Sequence, residues 1–196
     1  MSLVAKKKSS YKVAPGVYDG YLVGVYDLGT QVSEKFNNES HKVLLLWELV
    51  DETRTVPQTI SKFYTLTLNE KGKLRSDIET LLGRNLRPEE DSGFDIGGLL
   101  GRGARLQIIE DNDRSVIKSM MGFPPTEKPV PLKSPLVSFD MSAGEPIPED
   151  TPEFVEKLIK RSKEFQEGYP PVRKNATDDE WPIGDEPEEI TKPEPF

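Results

Sequence analysis

The chain of 196 residues contains no cysteine, which excludes disulfides, thiolate metal sites and thiol catalysis. Histidine is nearly as scarce. His41 is the only one, so a histidine-built metal site or a serine triad would rest on that residue alone. Long apolar runs are missing too. The longest, Val43 to Trp47, falls far short of a membrane span. The N-terminal MSLVAKKKSS has lysines but no apolar stretch behind them, unlike a secretory signal. A soluble, cytoplasmic protein with no membrane partner is expected. Phosphate-loop motifs are also absent. GGLLGRG, residues 97–103, has neither the spacing nor the strand-before, helix-after context of such a loop. Glu89, Glu90 and Asp91 sit in a polar loop without matching carboxylates on strand ends, as a two-metal nuclease would need. The expectation is a binding protein and not an enzyme, with no metal and no cofactor.

Hydrophobic residues make up only 35% of the chain, so part of it is expected to stay unpacked. Charge and proline locate that part. Residues 1–125 carry 17 acidic and 17 basic side chains, whereas the last 21 residues carry 8 acids and only Lys192. Nearly all of the net charge of −8 is therefore a tail on a balanced body. All prolines but Pro15, Pro57 and Pro88 lie beyond Gly122.

The body reads as strands. Val17, Tyr18, Tyr21, Leu22, Val23, Val25 and Tyr26 follow the Pro15-Gly16 punctuation, with Gly20 and Gly24 marking a bend or bulge. Residues 27–41 are polar and read as a long hairpin loop. HKVLLLWELVD is the second strand. Val43, Leu45, Trp47 and Leu49 point one way, and Leu44, Leu46 and Glu48 the other; two apolar faces make it central. ISKFYTLTL is the third strand. Asn69 offers a cap for a helix carrying Leu74, Ile78, Leu81 and Leu82, which stops at Gly83. ARLQIIED and SVIKSMMGF are strands four and five, joined by a tight turn at Asn112-Asp113. This order is that of an OB-fold, a five-stranded Greek-key barrel with one helix between strands 3 and 4. The predicted organisation is a basic arm (1–12), the barrel (13–125), a Pro-rich linker (126–150), an amphipathic helix (151–168) and a disordered acidic tail (169–196). The helix, bearing Phe154, Leu158 and Phe165, packs on the barrel or on a second subunit.

Such a barrel suits single-stranded nucleic acid, which is held by rings that stack on bases and cations that follow phosphates. The stacking candidates are Tyr64, Phe63, Trp47, Phe36 and Tyr21. Trp47, on a strand with two apolar faces, reads first as a core residue. Phe63 and Tyr64 point to opposite faces, so at most one faces the core. Tyr64 shares its face with Lys62 and reads as a wet, cationic surface; Phe63 shares one with Ser61 and Thr65. The phosphate candidates are Lys42, Lys62, Lys73, Arg75, Arg102, Arg105 and Lys118. His41, at a strand start, reads as a surface or hydrogen-bonded histidine.

The ending DEPEEITKPEPF cannot form a core. An apolar residue at the tip of an acidic, extended tail is a ready-made ligand for a partner with an apolar pocket and basic neighbours. A barrel, a Pro-rich linker and an acidic tail ending in Pro195-Phe196 together resemble a single-stranded DNA-binding protein. PGVYDGYLVGVYD, HKVLLLWELVD and FYTLTLNEKGKL are similar to the phage-encoded members of that family. The resemblance implies a protein that coats single-stranded DNA with little sequence preference, in a host cytoplasm. It also implies a tail that docks on replication, recombination or repair enzymes: a polymerase, helicase, primase, recombinase or nuclease. The matching tail residues are Pro195, Phe196, Asp185, Glu186, Glu188, Glu189 and Glu194. The acidic segment can also compete with nucleic acid for the protein's own cationic groove. An edge strand could pair two copies into a homodimer. The alternative class is an adaptor or inhibitor whose barrel binds a protein and no DNA.

Overall fold

The computed structural model describes residues 12–33, 38–51, 53–124 and 131–168. Its elements are β1 (Gly16–Ser33), β2 (Asn38–Leu49), β3 (Gln58–Thr65), α1 (Lys73–Leu82), β4 (Gly103–Asp111), β5 (Arg114–Gly122), β6 (Val137–Phe139), α2 (Glu153–Lys160) and α3 (Lys163–Gln166). Five strands pair antiparallel in the order β3-β2-β1-β4-β5, and β6 joins β1 in parallel. β3 and β5 approach each other without forming a ladder, so the mainly β sheet curls into a barrel-like shape that stays open at that seam.

β1 makes this shape possible because it is long and bent. It pairs with β4 over 16–21 and with β6 over 24–26, while β2 runs along its other edge. Register shifts between Leu22 and Gly24, and between Asp27 and Thr30, put the bends there. A Cβ on Gly24 would overlap the Tyr26 ring, so glycine is needed at the first bend. The polar stretch 27–41 is a correction to the loop reading: β1 runs to Ser33 and β2 resumes at Asn38. Alternation of apolar residues does not mark this ribbon, because among its described residues only Leu28 enters an apolar core. The C-terminal end braces it instead. Thr30 donates from its amide and hydroxyl to Glu164 at 2.7 and 2.6 Å, and Gln31 donates to the Leu158 carbonyl at 2.9 Å.

The two apolar faces of β2 serve two cores. Inside the barrel, Leu22, Val43, Leu45, Trp47 and Leu49 meet Leu106 and Ile108 of β4. Leu74, Ile78 and Leu81 of α1 pack into this core. α1 starts after Gly72, not from a cap at Asn69, and ends at Gly83 in the left-handed conformation (φ 67°). Outside the barrel, Val23, Tyr26, Leu28, Leu44 and Leu46 meet Val137, Phe139, Met141, Val155 and Ile159.

This second core takes in residues 131–150, the described part of the expected Pro-rich linker at 126–150. Residues 131–150 lie against β1 and β2, and their prolines sit in chain that has no need of a ladder. Glu48, buried on the outer face of β2, fixes the start of this segment. The Lys133 amide donates to its Oε1 at 2.9 Å and the Ser134 amide to its Oε2 at 2.7 Å. The expected helix at 151–168 is broken at Ser162, whose hydroxyl accepts from the Phe165 amide at 3.2 Å and starts α3. Val155 and Ile159 are fully buried, worth about 1.5–3 kcal/mol each. Among the described residues, no helix is long and apolar enough to cross a membrane.

Candidate nucleic-acid interface

β3 decides which predicted rings reach solvent. Its register with β2 sets Leu45 opposite Lys62 and Val43 opposite Tyr64, so Tyr64 follows the core-facing set of β2 inward. Only 4% of Tyr64 is exposed. Its hydroxyl donates to Asp77 Oδ2 at 2.7 Å, and Lys62 Nζ reaches the same oxygen at 2.6 Å. Burial, and then the Asp77 charge, push the Tyr64 phenol far above its ordinary range. Lys62 also lies 5.4 Å from the Tyr64 ring centre. The face expected to be wet and cationic is thus the α1-capped end of the barrel, with its lysine neutralised.

Three other stacking candidates are also settled or set aside. Trp47 is fully buried, with no partner for its Nε1 among the described residues. Tyr21 is buried and meets Phe123 edge-on, centroids 5.9 Å apart. Neither ring offers a face to a base. Phe36 lies outside the described residues, as do all seven tail residues named above and Lys6 to Lys8.

Phe63 is the exception, with 51% of its surface exposed. It stands opposite Leu44 on the outer face, diagonal to Lys42, which pairs with Thr65. Lys42 Nζ donates to the Thr65 hydroxyl at 2.8 Å and has no carboxylate partner among the described residues. The C-terminal segment covers Leu44 and Leu46 of β2 but leaves Phe63 of β3 uncovered. Ring, cation and the hydroxyls of Ser61 and Thr65 therefore share one open strip.

Two of the remaining cations are engaged elsewhere. Arg75 is held by Glu79 at 3.2 Å, Asp91 at 2.7 Å and the Leu68 carbonyl at 3.2 Å, which gives it a structural task. Arg105 is paired with Asp19 at 2.8 Å on the outer face of β1 and β4. Arg102 and Lys118 are exposed, in the approach to β4 and at the β5 register shift. Lys73 is exposed at the start of α1.

Two residues missed by the sequence reading complete the strip. At its other end is a groove of about 560 Å3, lined by Leu46, Val56, Thr59, Ser61, Arg114 and Phe154, among others. Arg114 follows the two-residue turn at Asn112 and Asp113, both with positive φ, as a tight antiparallel hairpin requires. Helical spacing puts Phe154 with Leu158 and Phe165, near the packed face of the helix. That face is centred on Val155 and Ile159, which leaves Phe154 at its edge and 45% exposed. The i, i+4 spacing of Val155 and Ile159 was the available signal.

A second hollow, about 420 Å3, lies beside Asp27, His41, Ser142 and Glu164. His41 Nε2 is 2.5 Å from Asp27 Oδ1. Burial raises the Glu164 carboxyl, but the hydroxyl and amide of Thr30 outweigh it, and the net pKa is below the ordinary value. Among the described residues, no three such groups stand in a metal-holding arrangement. In comparisons with known proteins, no family model matches this chain, and no curated protein or solved structure does.

Proposed function

We propose that this chain is an OB-fold protein, of the phage-encoded single-stranded DNA-binding type, that coats DNA with little sequence preference during replication, recombination or repair. The observation that carries this reading is the exposed Phe63 ring beside Lys42 on the outer face of β2 and β3. In OB-folds that face, with the loops between strands 1 and 2 and strands 4 and 5, receives oligonucleotides. The strand path β3-β2-β1-β4-β5, with α1 between β3 and β4, supports that fold assignment. The acidic tail recruits partner enzymes through Pro195-Phe196 and competes with DNA for cationic surface.

Fluorescence anisotropy with labelled oligo(dT), across a salt series, tests this. The full chain binds, its affinity falls with salt, and a chain stopped after Lys174 binds more tightly at low salt. Phe63→Ala weakens binding about 5- to 150-fold, the range of one lost base stack. No binding at low salt by either chain sinks the proposal and favours a protein-binding barrel.

A further inference from the structure

We infer that the groove at the far end of the β3 strip is a second seat for a nucleobase, and that α2 supplies its ring, Phe154. The inference rests on the DNA-binding reading and extends it to a part of the chain beyond the barrel. Phe154 is free for such a role because α2 is anchored without it. Val155 and Ile159, both fully buried, hold the helix on β1 and β2. The groove joins the two features a single strand needs. Phe154 and Val56, exposed by 45% and 68%, give an apolar surface over Leu46. Thr59 and Ser61 bring hydroxyls from the same β3 face that carries Phe63.

Its charge is also of the right sign. Asp113, the one carboxylate among the described residues of the lining, is already paired with Lys12. Arg114 is left without a carboxylate partner among the described residues. Lys12 also lines the groove, but its charge is shared between Asp113 and Glu110, so Arg114 carries the positive charge there. A DNA strand crossing Phe63 and Lys42 continues along β3 into the α2 side of the groove. The fold thus uses its C-terminal segment twice, as a cover for β1 and β2 and as a wall of the interface.

Hydrogen exchange of the full chain, with and without oligo(dT) of about twelve nucleotides, reads the path without any substitution. Slowed exchange at 56–61 and 153–156 is expected, beside that at 62–65. Phe154→Ala should weaken binding about 5- to 150-fold and shrink the number of nucleotides covered, and Phe154→Trp should restore both. Arg114→Gln should reduce the slope of log affinity against log salt by about 0.7, the loss of one phosphate contact on a single strand. If exchange at 153–156 is unmoved and Phe154→Ala and Arg114→Gln bind like the wild type while Phe63→Ala does not, the second seat is refuted and the DNA-binding reading stands. If oligo(dT) does not bind the wild type at all, both fall.

Discussion

Glu48 is the test of how the C-terminal segment is held. Replacing it with alanine removes both acceptors for the Lys133 and Ser134 amides, now at 2.9 and 2.7 Å. Hydrogen bonds to a charged acceptor contribute about 1.5–3 kcal/mol each. Both amides are only partly buried, so water recovers some of the loss, and Glu48→Ala should cost about 2–4 kcal/mol in all. For a chain of this size that lowers the melting temperature by about 5–15 °C. Glu48→Gln keeps one carbonyl acceptor and should cost about half as much. Urea unfolding gives the energies, and hydrogen exchange gives the location. Exchange should quicken at 137–139 and 153–160 while the inner strands β2 and β4 keep their protection. An alanine variant within about 0.5 kcal/mol of the wild type, with unchanged exchange, would refute the reasoning. The segment would then be held by its apolar contacts alone.

Three further outcomes follow from the same contacts. Because Trp47 is fully buried, Trp47→Phe should leave oligo(dT) affinity unchanged in the anisotropy assay; a clear loss would contradict its placement. The Glu164 carboxyl titrates below its ordinary value of 4.5 when folded, so its contribution is complete above that pH and is lost as pH falls through the lower folded value. Exchange at 163–166 should quicken in acid, and Glu164→Gln should abolish that pH dependence. A Cβ on Gly122 would lie 2.8 Å from the Thr80 carbonyl oxygen and 2.9 Å from that of Leu81, both backbone atoms of α1. Gly122→Ala should therefore cost about 1–3 kcal/mol in urea unfolding, since α1 must shift to admit it.

Strand identity was legible from residue type and alternation. β2 carries apolar residues on both faces, and that pattern alone makes it central and requires a second covering layer. Asn112-Asp113 specifies the β4–β5 turn, since both residues tolerate positive φ. The charge of the tail is likewise a property of the sequence. Alternation separates the two faces of β3 but does not say which is inside. Ladder register with β2, and Asp77 arriving from α1, placed Lys62 and Tyr64 within and Phe63 without. The prolines of 131–150 suggested a linker, because local composition does not register an acceptor as distant as Glu48. The interface itself is the least local feature. Its groove joins Leu46, Thr59, Arg114 and Phe154, whose separations along the chain carry no periodic signal. Periodicity reports the face a residue shares with its neighbours; only packing decides what lies against that face.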